Sequence, residues 1–376
     1  MKMRKLANIF RLGIKELWSL FRDPIMMVLI FYMFSIMVFT AATAKPETLN
    51  KAPIGIVDED RSQLSGRIVA AFFPPKFEAP SMLDIHEIDR GLDTGKYTFV
   101  INIPPNFQKD VLAGKQPEIQ LNIDATRMTQ AFSGNNYIQQ IINGEVNEFL
   151  QGFRSAQTAI VGLASRIRFN PNLEASWFGS LMQIIDNVTL LSIALTGAAL
   201  IREREHGTIE HLLVMPVTPV EIMVAKVWSM ALVVLVATAL SLNFVVQGAI
   251  GVPIEGSILL FLAGATLHLF ATTSMGIFLA TLTRSMPQFG ILAILILLPL
   301  QVLSGGITPK ESMPEFIQNI MFFAPTTHFV ELSQAILYRG AGFEVVWPQF
   351  LMLMVLGSAL FIFSLMRFRK TISMMA

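Results

Sequence analysis

The side chains able to do chemistry are few and scattered. Five histidines, His86, His206, His211, His268 and His328, could bind metal or carry protons. They are not spaced as a metal cluster: His206 and His211 stand five apart, off one helical face. Asp58-Glu59-Asp60 gathers three carboxylates, but directly after a strand-like run, where an acidic solvated turn is ordinary. No G-x-x-x-x-G-K-S/T phosphate loop occurs; Gly91-Leu92-Asp93-Thr94-Gly95-Lys96-Tyr97 has the wrong spacing and no Ser or Thr after its lysine. Cysteine is absent, which removes thiolate ligands, thiol nucleophiles and disulfides together. No Ser/His/Asp constellation stands out. The expectation is a chain with no catalytic residue, no metal and no cofactor of its own.

The densest charge in the second half lies between Arg202 and Lys226. Gly207 interrupts a helix there. Thr208 can cap a short helix through about Val214, and Pro216 ends it. Thr218-Pro219-Val220-Glu221 then has a capping threonine, proline at the first turn and glutamate three residues after the cap. A short rigid helix held between two longer ones can transmit a push. Glu203, Arg204, Glu205 and Glu210 suit a polar protein partner, where a merely solvated loop is the plainer reading.

The elements around this loop are apolar. The chain has 376 residues, 53% hydrophobic and 15% charged, against about 45–50% and about 25% in soluble domains. The fold class is therefore α-helical integral membrane. Six runs are long enough to cross a bilayer: 24–44 and approximately 177–201, 220–247, 258–282, 288–303 and 347–366. Residues 1–23 form a basic amphipathic helix suited to a membrane interface. Ala42-Thr43-Ala44 resembles a signal-peptidase site, but leader and apolar run are both long for a cleaved signal, so an uncleaved span is expected. Residues 45–175 read as an α/β domain, with strands at Pro53–Asp58, Tyr97–Ile103 and Glu118–Asp124, helical pieces at Ser62–Phe73 and Pro105–Ala113, and one long helical stretch from Thr126 to Phe169.

Orientation follows from basic residues in the short loops. With the N-terminus inside, thirteen face the cytoplasm (Lys2, Arg4, Lys5, Arg11, Lys15, Arg22, Arg202, Arg204, Lys226, Arg284, Arg367, Arg369 and Lys370) and two, Lys310 and Arg339, face out. Both termini are expected inside, and 45–175 outside. The net charge of +1 leaves no nucleic-acid footprint. Polar groups inside the spans must face the bundle or water. Gln183, Asp186 and Asn187 share one helical face and are candidates to line a translocation pathway, with helix-to-helix hydrogen bonding as the other reading. His268, between Leu267 and Leu269, is a pathway candidate or a partner of a nearby Ser or Thr. Residues 305–339 are apolar but broken by Pro309, Pro314 and Pro325, and Glu315–Phe323 is too short to span. A re-entrant or interfacial segment fits, opened by a close-packed helix end at Ser304-Gly305-Gly306.

The stretch Glu203-Arg204-Glu205-His206-Gly207-Thr208-Ile209-Glu210-His211-Leu212-Leu213-Val214-Met215-Pro216 resembles the loop of ABC-2-type permeases, membrane subunits of ATP-binding-cassette exporters, with its E-R-E-x-G-T-x-E-x-L-L-x-x-P pattern. Phe99–Phe107 with Asp110–Lys115 is similar to that family's extracytoplasmic domain. Leu303–Pro309, Ser312–Pro314 and Ala324–His328 are similar to its last outer loop. Leu303-Ser304-Gly305-Gly306 also spells the start of the ABC ATPase signature, but it ends an apolar run and no phosphate loop accompanies it. The resemblance implies a half-transporter in a bacterial inner membrane, paired with a second copy or a sister permease. It implies a separate ATPase subunit that holds ATP and magnesium and is contacted by Glu203, Arg204, Glu205, His206, Gly207, Thr208 and Glu210 across the coupling loop 202–222. It also implies an outer gate at Ser304, Gly305, Gly306, Pro309 and Pro325, membrane lipid as surroundings, and a periplasmic adaptor as an optional partner. The alternative is a membrane receptor whose extracytoplasmic sensor signals through a partner. The cargo has no readable code in these residues.

Overall fold

The computed structural model describes residues 2–43, 49, 51–124, 128–151, 175–207 and 217–373. The chain divides into two compact units, Lys45–Arg166 and Met1–Ala44 with Ile167–Ala376.

In the first unit, β1 (Ile54–Asp58), β2 (Ser81–Met82), β3 (Phe99–Ile103) and β4 (Gln120–Ile123) form one sheet in the order β2-β1-β3-β4. β1 is parallel to β2 and β3, and β4 is antiparallel to β3. The two central strands are apolar apart from Asp58 and Asn102 because both faces are covered. Ile54, Ile56, Phe99, Ile101 and Ile103 pack with Leu64 and Ile68 of α4 (Gln63–Ala70), Phe107 and Val111 of α6 (Phe107–Leu112) and Ile138 of α7 (Met128–Gln151). Val57 and Val100 face Ile88 of α5 (Ile88–Asp93) and Tyr97. The three expected strands and two helical pieces are present. β2 and α5 are additional, being too short to show a period. Of the expected long helix, α7 is described, and the rest lies outside the described residues. Asp58-Glu59-Asp60 is a turn: Asp58 accepts from the Arg61 N–H (2.9 Å) and the Ser65 hydroxyl (2.8 Å), and Asp60 accepts from the Gln108 N–H (3.1 Å).

The second unit is helical: α1 (Lys2–Phe21), α2 (Pro24–Phe34), α3 (Ile36–Thr43), α8 (Ala175–Glu205), α9 (Pro219–Leu240), α10 (Ile258–Leu282), α11 (Met286–Val302), α12 (Glu315–Met321), α13 (Pro325–Leu337) and α14 (Phe343–Ser373). α9 continues as wider π-type turns over Ser241–Ile250 until Gly251, whose φ of +79° only glycine adopts cheaply. Among the described residues, five helices are long and apolar enough to cross a membrane: Pro24–Thr43, Ser176–Glu205, Pro219–Ile250, Ile258–Leu282 and Phe343–Thr371. The sixth expected run, α11, is a shorter apolar helix of 17 residues with Pro299 inside it. α10 is the packing centre, lying against α8, α14, α13 and α9.

The first span breaks at Ser35, between α2 and α3. A break leaves backbone carbonyls without intrahelical donors. Here two neighbouring helices supply them: Asn187 Nδ2 on α8 donates to the Met33 carbonyl (2.6 Å), and the Ser241 hydroxyl donates to that of Phe34 (2.5 Å).

Candidate functional site

The charged loop motif begins on the last turn of α8, and each of its first four charged residues is tied to a different neighbour. Consecutive helical residues point about 100° apart, so a run of four charges reaches around the whole helix. Arg202 Nη1 donates to Asp23, the cap of α2, at 2.7 Å. Glu203 forms an ion pair with Lys226 of α9 at 2.8 Å and accepts from Lys15 of α1 at 3.2 Å. Arg204 Nη1 donates to the carbonyls of Thr283 (2.7 Å) and Ala280 (3.1 Å), closing the end of α10. Glu205 accepts from the Met286 N–H at 2.9 Å, capping the start of α11. Together these four residues bind α1, α2, α9, α10 and α11 to the end of α8.

Lys226 is the centre of this hub. Its side chain is 2% exposed and lies 3.0 Å from Glu16 of α1 and 2.8 Å from Glu203. An ammonium so enclosed survives only if its charge is answered, and two carboxylates answer it. Burial lifts the Glu16 carboxyl above its ordinary value, and Lys226 opposes that rise. Burial would also raise Asp23, but the Met26 N–H and the Arg202 guanidinium outweigh it and hold that carboxyl below its usual range.

α1 is seated by shape as well. Gly13 lies against the Trp228 indole so closely that a Cβ there would fall 2.0 Å from the ring. Trp228 Nε1 donates to the Ile9 carbonyl (3.3 Å), and Phe10 stacks on the same ring. Leu6, Phe10, Trp18 and Phe21 remain exposed, which leaves one side of α1 apolar and open. Thr218 caps α9 with Glu221 in the reciprocal box that their spacing predicts. His206 follows α8, and Gly207, at φ +70°, turns the chain away. Thr208, Glu210 and the expected helix to Val214 lie outside the described residues.

Within the spans, Gln183 Nε2 donates to Asn187 Oδ1 (2.9 Å), so both are engaged around the Ser35 break. Asp186, on the same face, is half-buried and makes no side-chain hydrogen bond or ion pair among the described residues. His268 is fully buried; its Nε2 lies 2.8 Å from the Thr189 hydroxyl, and its ring stacks on Phe329 at 4.0 Å.

At the opposite end, Ser304 is buried and donates to the Gln301 carbonyl (2.8 Å). Gly305 turns at φ +96°, and Gly306 abuts the Met182 methyl. Pro309 precedes a single 3₁₀ turn, and Pro325 opens α13, a buried helix of 13 residues. Lys310 and Glu331 pair at 3.0 Å. A cavity of about 540 Å³ lies here, lined by Phe178, Gly305, Lys310, Glu331, Gln334 and Arg339 among others.

The model for ABC-2 family transporter proteins matches residues 21–366. The chain belongs to that family. It is 64% identical over 374 residues to the inner membrane transport permease YhhJ of Escherichia coli strain K12, and equally to that of Shigella flexneri, with the full length of each chain covered. It is 28% identical over 346 residues to the probable multidrug ABC transporter permease YbhR of E. coli K12, covering 91% of this chain and 93% of that one. This ABC-2 permease is thus a multi-pass transport subunit of the inner membrane.

Sequence reasoning missed the hub partners of the permease. Lys226 counts as a loop cation by its position, and Glu16 as one charge on a basic helix. The signal was present: Lys226 has apolar residues on every helical side in Ile222–Trp228, and a lysine in such a setting needs a carboxylate from elsewhere in the fold.

Proposed function

We propose that this chain is a six-span half-transporter of an ATP-binding-cassette exporter, moving its substrate outward as a separate ATPase subunit hydrolyses ATP. The observation that carries the reading is the hub at the end of α8. The charges of the motif are spent on five neighbouring helices, so a displacement of the segment after Gly207 is delivered to all of them as one body. ATP-driven closure of the partner presses on that segment, and α1, locked in by Glu16–Lys226, moves along the membrane surface on its open apolar side. The spans tilt and a path opens outward between two permease copies. The α/β unit stands outside the membrane, where it guides substrate or docks an adaptor. His206, Gly207, Thr208 and Glu210 form the contact with the ATPase. The turn at Ser304–Gly306, with Pro309 and Pro325, forms the outer gate.

The absence of cysteine makes the test direct. His206→Cys and Lys310→Cys are coexpressed with the ATPase from the adjacent reading frame, and intact cells are treated with an impermeant maleimide. Labelling of Lys310→Cys but not His206→Cys, and crosslinking of His206→Cys to the ATPase, support the reading. The reverse labelling pattern, or no ATPase crosslink from His206→Cys or from Gly207→Cys, overturns it.

A further inference from the structure

Asp186 stands about 15 Å along the second span, close to the middle of a hydrocarbon core about 30 Å thick. The other acidic residues of the apolar helices lie in their first or last turns: Glu203 and Glu205 on α8, Glu221 on α9 and Glu344 on α14. A charge at that depth facing lipid costs about 2.5–3.5 kcal/mol, so it is kept only where something polar meets it. Among the described residues no side chain of its own protomer hydrogen-bonds or ion-pairs with it; the Tyr338 hydroxyl lies within electrostatic range. Leu181, Ile184, Ile185 and Val188 around it are fully buried, whereas Gln183, Asp186 and Leu190 form a half-open stripe along α8. Two turns away, Phe178 is exposed and stacks on Tyr338 at 5.8 Å, where the Tyr338 hydroxyl donates to the Phe178 carbonyl (2.9 Å). Phe178 also lines the cavity of about 540 Å³ beside Gln334. This half-open stripe thus holds a half-buried carboxylate at the depth of the bilayer centre and, about 12 Å along the helix, an aromatic pair bordering a cavity.

We infer that Asp186 is the charge-selecting group of the pathway and that the cargo is an organic cation with apolar bulk. The inference rests on the permease reading, in which a second copy closes the stripe and sets its own Asp186 opposite this one. A carboxylate in a low-dielectric path attracts a cation strongly, and aromatic faces at the outer end receive the same charge as it leaves. A neutral or anionic cargo has no use for an unpaired acid there and would meet it as a barrier.

The test is equilibrium binding of radiolabelled tetraphenylphosphonium to the purified full chain in mild detergent. The wild type is expected to bind saturably. Asp186→Asn should weaken binding by at least about tenfold, since it removes a charge-assisted contact. Asp186→Glu should hold it within about threefold, and Phe178→Ala should lose severalfold. Asp186→Asn is expected to unfold no earlier than wild type, because it removes an unpaired charge. Absence of saturable binding by wild type, or binding by Asp186→Asn within about twofold of it, overturns the inference. Co-elution of the ATPase with the same preparations is read separately. If the ATPase binds and the cation does not, the cargo class is wrong and the permease reading stands. If the cation binds and the ATPase does not, the permease reading fails by itself.

Discussion

Replacing Lys226 by methionine keeps the apolar stem of the side chain and removes the cation shared by Glu16 and Glu203. At separations of 3.0 and 2.8 Å and an effective dielectric of about 20, each pair attracts by about 5–6 kcal/mol before desolvation. Desolvation of the three groups offsets most of this, so the intact triad adds little net stability. Removing one partner is different, because two carboxylates stay enclosed with their shared cation gone and only half-exposed Lys15 nearby. The expected loss is about 3–5 kcal/mol. At about 2–4 °C per kcal/mol for a unit of this size, the thermal midpoint in detergent should fall by roughly 6–20 °C. The triple variant Lys226→Met, Glu16→Gln, Glu203→Gln should recover most of that fall, because neutral amides tolerate the same enclosure far better. In the recovered protein, ATP hydrolysis by the partner should persist while transport drops, since α1 is no longer locked to α8 and α9. A single variant melting within about 2 °C of wild type would refute the charge argument. A triple variant as unstable as the single one would show that Lys226 matters for packing instead.

Gly13→Leu should unseat α1, since the new side chain meets the Trp228 ring. A loss of about 1–3 kcal/mol is expected, with faster proteolysis at the N-terminus as the readout. Asn187→Leu leaves the Met33 carbonyl without its donor at the Ser35 break and should cost about 1–3 kcal/mol in thermal unfolding. Asp23 is held below its ordinary value of 3.8, so its contribution is present above that value and is lost as pH falls through the lower folded-state value. Melting curves should therefore show wild type losing more stability than Asp23→Asn between about pH 5 and about pH 3. Equal acid sensitivity would remove Asp23–Arg202 from the hub.

Composition and periodicity were enough to read much of this chain. Apolar runs near bilayer length, the cap box at Thr218–Glu221, the glycine stop at Gly207 and the three main strands are local properties. They follow from side-chain type and spacing within a few residues, and the structure repeats them. The motif after Glu203 was equally legible as a pattern. Where its side chains go was not. Glu203 and Glu205 look like charges offered to an outside partner, yet they are turned onto Lys226 and the Met286 N–H. Asn187 is open in sequence to pathway lining or helix-to-helix bonding, and it donates to a carbonyl 154 positions earlier. Lys226 reads as one more basic residue of a short loop, yet its side chain is enclosed between Glu16 and Glu203. These outcomes depend on which helix ends meet, and that is set by packing α8, α9 and α10 together and by seating α1 on Trp228. The sequence alone determined the membrane class, five of the six expected spans and the stop at Gly207, because the bilayer and the backbone impose one-dimensional rules; the break at Ser35 was not among them. The tertiary structure decided which charges pair and that Asp186 in mid-span has no ion pair among the described residues, because a buried charge is satisfied by neighbours in space and not by neighbours in the chain.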